Sequence, residues 1–291
     1  MDIGAEPKPP PATDIERAPL ETSPKLDLLI SPFDADARKL LSIGVHGEAV
    51  GFDGVWSYDH LTGTMLGRGQ SLDPFSILGA IAASTKRVDI GPLVANARNR
   101  HPVQLALAAN TLQQLVGDRA VLGVGAGAAP GSQFAGEHVA IGTELGSALE
   151  RRARLIETIA LLRHLWSGGS DFAGEFYSID GFDFALDNDS PPPIIIGASS
   201  RATAELAFAH GDGLNLVSPP ILNLLTDLIA TDRPTGFEIS VHVMVFPNAS
   251  TIEEQLPDPS PFVDRWIFAV PASASLEWIE ELRAAAANRF A

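Results

Sequence analysis

From Lys25 onward the chain alternates short apolar runs with stretches of helical spacing. Eight runs read as strands: Leu26–Phe33, Gly54–Tyr58, Val88–Ala95, Ala120–Gly125, Pro193–Ala198, Leu214–Val217, Phe237–Phe246 and Arg265–Val270. Some, such as Ile194-Ile195-Ile196, are apolar without alternation, as expected of parallel strands covered on both faces. Between them, Leu105, Ala108, Leu112 and Leu115 follow Pro102 at helical spacing, and Leu155, Ile159, Leu162 and Trp166 do so up to the stop at Gly168-Gly169. Leu276, Ile279 and Leu282 mark a last helix. Strand and helix in repeated alternation predict a parallel α/β fold. A doubly wound sheet shows the same alternation, but eight strands within the ~250 residues usual for a (β/α)8 TIM barrel favour that barrel for residues 25–291.

Three segments modify the picture. Ala128–Gly146 is a Gly/Ala-rich loop after the fourth strand, long enough to cover a site. Asp171–Pro193 reads as a small strand pair carrying Phe172, Phe176, Tyr177, Phe182 and Phe184. Only Asn248–Val263 separates the last two strands, so the barrel is expected to be reduced there, with one short helix at most. Residues 1–24 are Pro-rich and lack an apolar run; they are expected to form a disordered tail, neither a signal peptide nor a membrane span.

Composition narrows the function. With no cysteine, disulfides, thiolate metal sites and a Cys nucleophile are excluded. With no export signal read in the sequence, the cytoplasm is the expected compartment. A formal charge of −16 argues against nucleic acid and anionic membrane surfaces as partners. The histidines form neither HxH nor HExxH, so no metal site is expected, and no Gly-x-Ser-x-Gly elbow or phosphate loop of the GKS/GKT kind occurs.

Residues just beyond the strand C-termini of such a barrel face its active site. Four places qualify. Asp59-His60 pairs a carboxylate with a tunable proton donor, or is a surface turn with a capping Asp. The run Val94 to Pro102, with Asn96, Arg98 and Arg100, lies at the barrel mouth or simply leads into a helix. Gly123-Val124-Gly125-Ala126-Gly127 lets a ligand approach the backbone, but does not lead directly into a helix as a dinucleotide fingerprint must. Gly197-Ala198-Ser199-Ser200 precedes a helix whose free amides suit an anion, though a serine there also serves as an ordinary cap. Glu137 and His138 sit in the long loop and could reach a site, although a lone polar pair on a loop is more often solvated.

Taken in order, Glu48–His60, Asp73-Pro74-Phe75, Ala82–Arg87, Gly91–Pro102, Arg119–Gly127, Gly174–Tyr177 and Pro193–Gly213 resemble the luciferase-like monooxygenase family. That family includes FMN enzymes and enzymes of coenzyme F420, a 5-deazaflavin. Gly91–Asn96 with Arg100-His101-Pro102 looks like the F420 branch. The resemblance implies an F420-dependent oxidoreductase transferring a hydride to or from a small organic substrate. FMN-dependent monooxygenase and non-catalytic F420- or flavin-binding protein are the alternatives. It further implies a homodimer, His60 and Asp59 as catalytic candidates, and a cofactor seat of Asp59, Leu93, Val94, Asn96, Gly125, Gly127, Gly197, Ala198, Ser199 and Ser200. The Leu93–Val94 peptide is expected to be cis and to support the ring. The chain departs from the branch's sugar-phosphate dehydrogenases at Thr64, where they carry Trp, and at Ala128, where they carry an acid.

Overall fold

A computed structural model describes residues 23–186 and 188–291. The expected tail therefore lies, but for its last two residues, outside the described residues.

The strands are β1 (Lys25–Ile30), β2 (Gly54–Ser57), β3 (Asp89–Pro92), β4 (Ala95–Asn96), β5 (Leu122–Gly125), β6 (Phe172–Ala173), β7 (Ser178–Ile179), β8 (Ile194–Ala198), β9 (Gly213–Leu216), β10 (Glu238–Met244) and β11 (Arg265–Val270). All eight expected runs become strands, the third being broken into β3 and β4. The main sheet runs β3-β2-β1-β11-β10-β9-β8-β5-β4, with every pairing parallel. A parallel bridge between Ile90 and Ala120, with Val121 N–H donating to the Ile90 carbonyl at 2.9 Å, ties β3 to the start of β5 and closes the ring. Closure excludes the doubly wound sheet. The pair β6–β7 is the expected antiparallel excursion.

Apolar side chains on the outer strand faces, among them Leu28, Ile30, Val55, Ile196 and Val241, pack against the surrounding helices. A smaller group, Leu29, Trp56, Leu93, Ile267 and Ala269, fills the barrel interior. The helix Pro102–Val116 turns a slightly different face inward than its spacing suggested. Leu105, Ala109, Leu112 and Val116 are buried, whereas Leu115 is 51% exposed. Eleven residues complete three turns, so Val116 falls under Leu105 and Leu115 swings outward. Leu276, likewise expected inside, is partly exposed, and Ile279, Leu282, Ala286 and Phe290 carry the contact of the last helix. Between β10 and β11 stands one helical turn, Ile252–Gln255, held by a capping box between Thr251 and Glu254. The barrel is reduced there, as its spacing indicated.

The N-terminal end of the barrel is plugged. Arg265 is buried and pairs with Asp27, with Asp89 at 2.7 Å and with Glu238 at 3.0 Å, while Trp56 Nε1 donates to Asp27 at 2.7 Å. This leaves the C-terminal rim as the open end. No helix among the described residues is long and apolar enough to cross a membrane.

Candidate active site

The C-terminal ends of β2, β4, β5, β8, β9 and β10 surround a cavity of about 420 Å³. Asp59, His60, Leu93, Val94, Asn96, Gly125, Gly127, Gly197 and Ser199 all line it, although they come from four separate stretches of chain. Two expected members do not. Ala198 is buried, 1% exposed. Ser200 caps the helix Arg201–His210: its hydroxyl accepts from Thr203 N–H, and its own N–H donates to Thr203 Oγ1 at 3.2 Å. Both polar groups of Ser200 are thus spent within a capping box.

The floor is the break between β3 and β4. The Leu93–Val94 peptide is cis, as the family likeness implied. Leu93 N–H still donates to the Ser57 carbonyl at 2.9 Å, so the chain stays anchored to β2 through the break. Two flanking glycines have a reason other than ligand approach. A Cβ on Gly125 would lie 2.7 Å from Val94 Cγ2, and one on Gly197 would lie 3.2 Å from both Val94 methyls. They make room for Val94 at the cavity floor. Gly127 adopts φ 77°, a region that favours glycine.

Asp59 is 4% exposed. Its Oδ2 accepts from Asn96 N–H and from Arg100 Nε, and its Oδ1 from Arg100 Nη2, all at 2.9 Å. Arg100 reaches on to Asp73 at 2.6 Å. The carboxylate therefore fixes the backbone just past the break.

His60 has an environment its position in the sequence did not disclose. Nδ1 lies 3.2 Å from Glu137 Oε2, which also accepts from Leu61 N–H at 3.2 Å, and the ring stacks on Phe134 at 4.0 Å between centroids. Glu137 and His138 are 2% and 0% exposed, which corrects the solvated reading of this loop pair. Local order explains the difference: residues 135–140 form a short helix that turns both side chains under the loop. Burial alone would raise the Glu137 carboxyl, but hydrogen bonds from His60, Leu61 and Thr62 outweigh it and hold the group below the usual carboxylate range. Burial, helped by Arg98, lowers the His138 pKa and keeps that ring neutral. Its Nε2 accepts from Ala128 N–H at 3.2 Å and lies 3.3 Å from Asn96 Nδ2, joining the loop to β4.

Tyr58 and His242 complete the wall, with Tyr58 Oη 2.6 Å from His242 Nε2. Burial pushes the phenol well above its usual pKa and the imidazole down to about 4, so both are neutral. Sequence reasoning passed over Tyr58, His242, Asn215 and the pairing role of Arg100. One signal was available: Asn215 and His242 are polar positions flanked on both sides by apolar strand residues, in Leu214-Asn215-Leu216 and Val241-His242-Val243.

A family model described as luciferase-like monooxygenase matches residues 17–255. The chain belongs to the luciferase-like monooxygenase family. Among its curated relatives is an F420-dependent glucose-6-phosphate dehydrogenase of Amycolatopsis mediterranei (strain U-32), 33% identical over 203 residues, covering 69% of this chain and 60% of the relative. An F420-dependent hydroxymycolic acid dehydrogenase of Mycobacterium tuberculosis is 34% identical over 177 residues, 60% of this chain and 48% of the relative. The chain thus spans about half to three fifths of the length of the curated relatives it matches. Among solved structures, an F420-dependent secondary alcohol dehydrogenase in complex with an F420-acetone adduct superposes with a TM-score of 0.72 at 18% identity, covering 90% of this chain and 97% of that one. The monooxygenase RslO1 from Streptomyces bottropensis gives 0.68 at 20% identity, over 90% and 98%. At these identities the structural likeness speaks for the barrel fold alone.

Proposed function

We propose that residues 25–291 act as one coenzyme F420-dependent oxidoreductase domain that moves a hydride to or from a small organic molecule. The observation that carries this reading is the cavity floored by Leu93 and Val94 at the C-terminal rim of a closed barrel, in a chain whose curated relatives are named as F420-dependent dehydrogenases. Its volume of about 420 Å³ lies within the ~300–1,000 Å³ usual for small-ligand sites. Its lining suits a flat polar-edged ring: Leu93, Val94, Ala126 and Phe134 supply apolar faces, and Asn96, Ser199 and Asn215 supply hydrogen-bonding groups.

The cofactor, when bound, supplies the hydride chemistry. The chain's residues have distinct tasks in this reading. Leu93 and Val94 back one face of the ring. Ser199 and the first-turn amides of the helix Arg201–His210 hold the phosphate, while Ser200 keeps that helix end in shape. Asp59 and Arg100 act as positioning residues for Asn96. His60, with Nδ1 on Glu137, retains Nε2 to hold or move a proton beside the reacting centre. Phe134 and the segment around it keep water from that proton. We further propose a cytoplasmic location and, from the family likeness, a homodimer.

Parallel titrations of the purified chain with the deazaflavin and with FMN test the reading. Saturable deazaflavin binding at least tenfold tighter than FMN binding is expected. Tight FMN binding with no deazaflavin binding would replace it with the monooxygenase reading.

A further inference from the structure

A separate cavity, of about 380 Å³, opens where the loop after β4 meets the helix Ala148–Trp166 and the turn between β6 and β7. Arg98, Asn99, His101, Glu144, Arg154 and Tyr177 are among its lining residues, and it shares none with the cavity floored by Leu93 and Val94. The chain's formal charge is −16, yet this lining, among the described residues, sets Arg98, Arg100 and Arg154 against a single acid, Glu144. Arg100 is already paired with Asp59 and Asp73. Arg154 has a long contact, 3.4 Å, with Glu150, and Arg98 gives Nη2 to the Glu144 carbonyl, a neutral acceptor. Arg98 Nε, Arg154 Nε and both polar atoms of Asn99 are buried with no hydrogen-bond partner among the described residues. Burial, and then the Arg154 charge, lowers the pKa of Arg98, so the two guanidiniums repel each other more than Glu150 and Glu144 offset.

Both guanidiniums are nonetheless held in place. That of Arg154 lies over the Phe176 ring, 4.2 Å from its centroid, and that of Arg98 is tied to the Glu144 carbonyl. Two such forks of N–H donors match the oxygens of an oxyanion. His101 adds a donor of its own: Nδ1 accepts from Val103 N–H at 3.2 Å, so the ring carries its hydrogen on Nε2. A phosphate, with more acceptor oxygens than a carboxylate, can engage both forks at once.

We infer that this cavity is an anion site, distinct from the cofactor seat, that binds a phosphate group between Arg98 and Arg154. Free phosphate and the phosphate monoester of a small molecule share that chemistry, and about 380 Å³ has room for either, within the ~300–1,000 Å³ usual for small-ligand sites. The site touches the cofactor cavity through one hydrogen bond, from Arg98 N–H to Asn96 Oδ1 at 3.0 Å. The inference goes beyond the proposed function and does not depend on it, because every group it uses lies outside the cavity that carries that reading.

The test is calorimetric titration of the full chain with inorganic phosphate and with glycerol 3-phosphate, each with and without saturating deazaflavin. Saturable one-site binding with a Kd below about 1 mM is expected, unchanged by the deazaflavin. Tighter binding of glycerol 3-phosphate would identify a monoester as the ligand, and equal binding would identify free phosphate; either supports the site. Arg98→Ala and Arg154→Gln should each weaken binding about tenfold or more, the scale of a lost charge-assisted contact. Arg38→Ala, at an exposed arginine elsewhere, should leave it unchanged. Unaltered melting temperatures would show that the variants fold, and Arg154→Gln decides the matter alone if Arg98→Ala does not. No saturable binding of either anion, equal weakening by Arg38→Ala, or displacement of the anion by deazaflavin would overturn the inference. If the deazaflavin fails to bind while phosphate binds as described, the proposed cofactor falls and the anion site stands.

Discussion

His60 Nδ1 lies 3.2 Å from Oε2 of Glu137, an acid 77 residues further along the chain, and the two are brought together only by the folding of the loop after β5. The contact fixes which nitrogen of the imidazole is left for chemistry, a role a carboxylate often has beside a working histidine. His60→Ala is expected to lower turnover by about 100-fold, the scale of a lost general acid–base group, while changing deazaflavin affinity much less. Glu137→Gln should lower turnover less than His60→Ala does and shift the pH profile of kcat. Steady-state rates and cofactor titrations of both variants check this; a large loss of affinity with little loss of turnover would make His60 a binding residue.

The clamp between Asp59 and Arg100 predicts a different phenotype. Removing the guanidinium by Arg100→Ala leaves a buried carboxylate facing only the Asn96 amide. A destabilisation of about 3 kcal/mol is expected, with loss of cofactor binding in step. Denaturant unfolding and cofactor titration on the same sample would measure both. A stable variant that fails only in binding would point instead to direct ligand contact by Arg100.

Ser200 separates capping from anion binding. Because its hydroxyl and N–H are both used within its own helix end, Ser200→Ala should cost about 1 kcal/mol of stability and alter deazaflavin affinity by no more than about twofold. Thermal unfolding together with the titration decides the matter; a tenfold fall in affinity at unchanged stability would return Ser200 to the phosphate site.

The plugged end of the barrel predicts an unusual pH dependence. Burial dominates at Asp27 and, despite Arg265 and Trp56, raises its pKa from 3.8 to about 6, with Glu238 adding to the rise. The native state therefore binds this proton more tightly than the unfolded chain does. The contribution is fully present below about pH 4 and is lost as pH rises through about 6, on the order of 3 kcal/mol in all. Glu48 and Glu137, whose pKa values are lowered, act oppositely, losing stability as pH falls through their folded values below 4.5. Melting curves of wild type and Asp27→Asn isolate the first effect, since the other groups are common to both. The stability of wild type relative to the variant should increase as pH is lowered from about 8 to about 4.5, and parallel curves would refute it.

Much of this molecule was readable in one dimension because the barrel repeats a local signal. Each buried strand is a short apolar run, and each rim residue sits just past one, so Asp59, Val94, Asn96 and Ser199 fall on one cavity from their sequence positions alone. What stayed hidden depends on packing across the barrel. Glu137 looks like any loop acid until a helical turn buries it beside His60. Gly125 and Gly197 line the cavity as their positions suggested, but that they also make room for the Val94 side chain shows only in three dimensions. Tyr58 and His242, 184 residues apart, meet only because β2 and β10 both point inward at the same rim.

The most direct measurement is a crystal structure of the chain with the deazaflavin bound. The ring is predicted to lie in van der Waals contact, within about 4 Å, of Leu93 and Val94, with its phosphate at Ser199 and the start of the helix Arg201–His210. A ring bound elsewhere on the barrel, with the Leu93–Val94 floor left uncovered, would contradict the account.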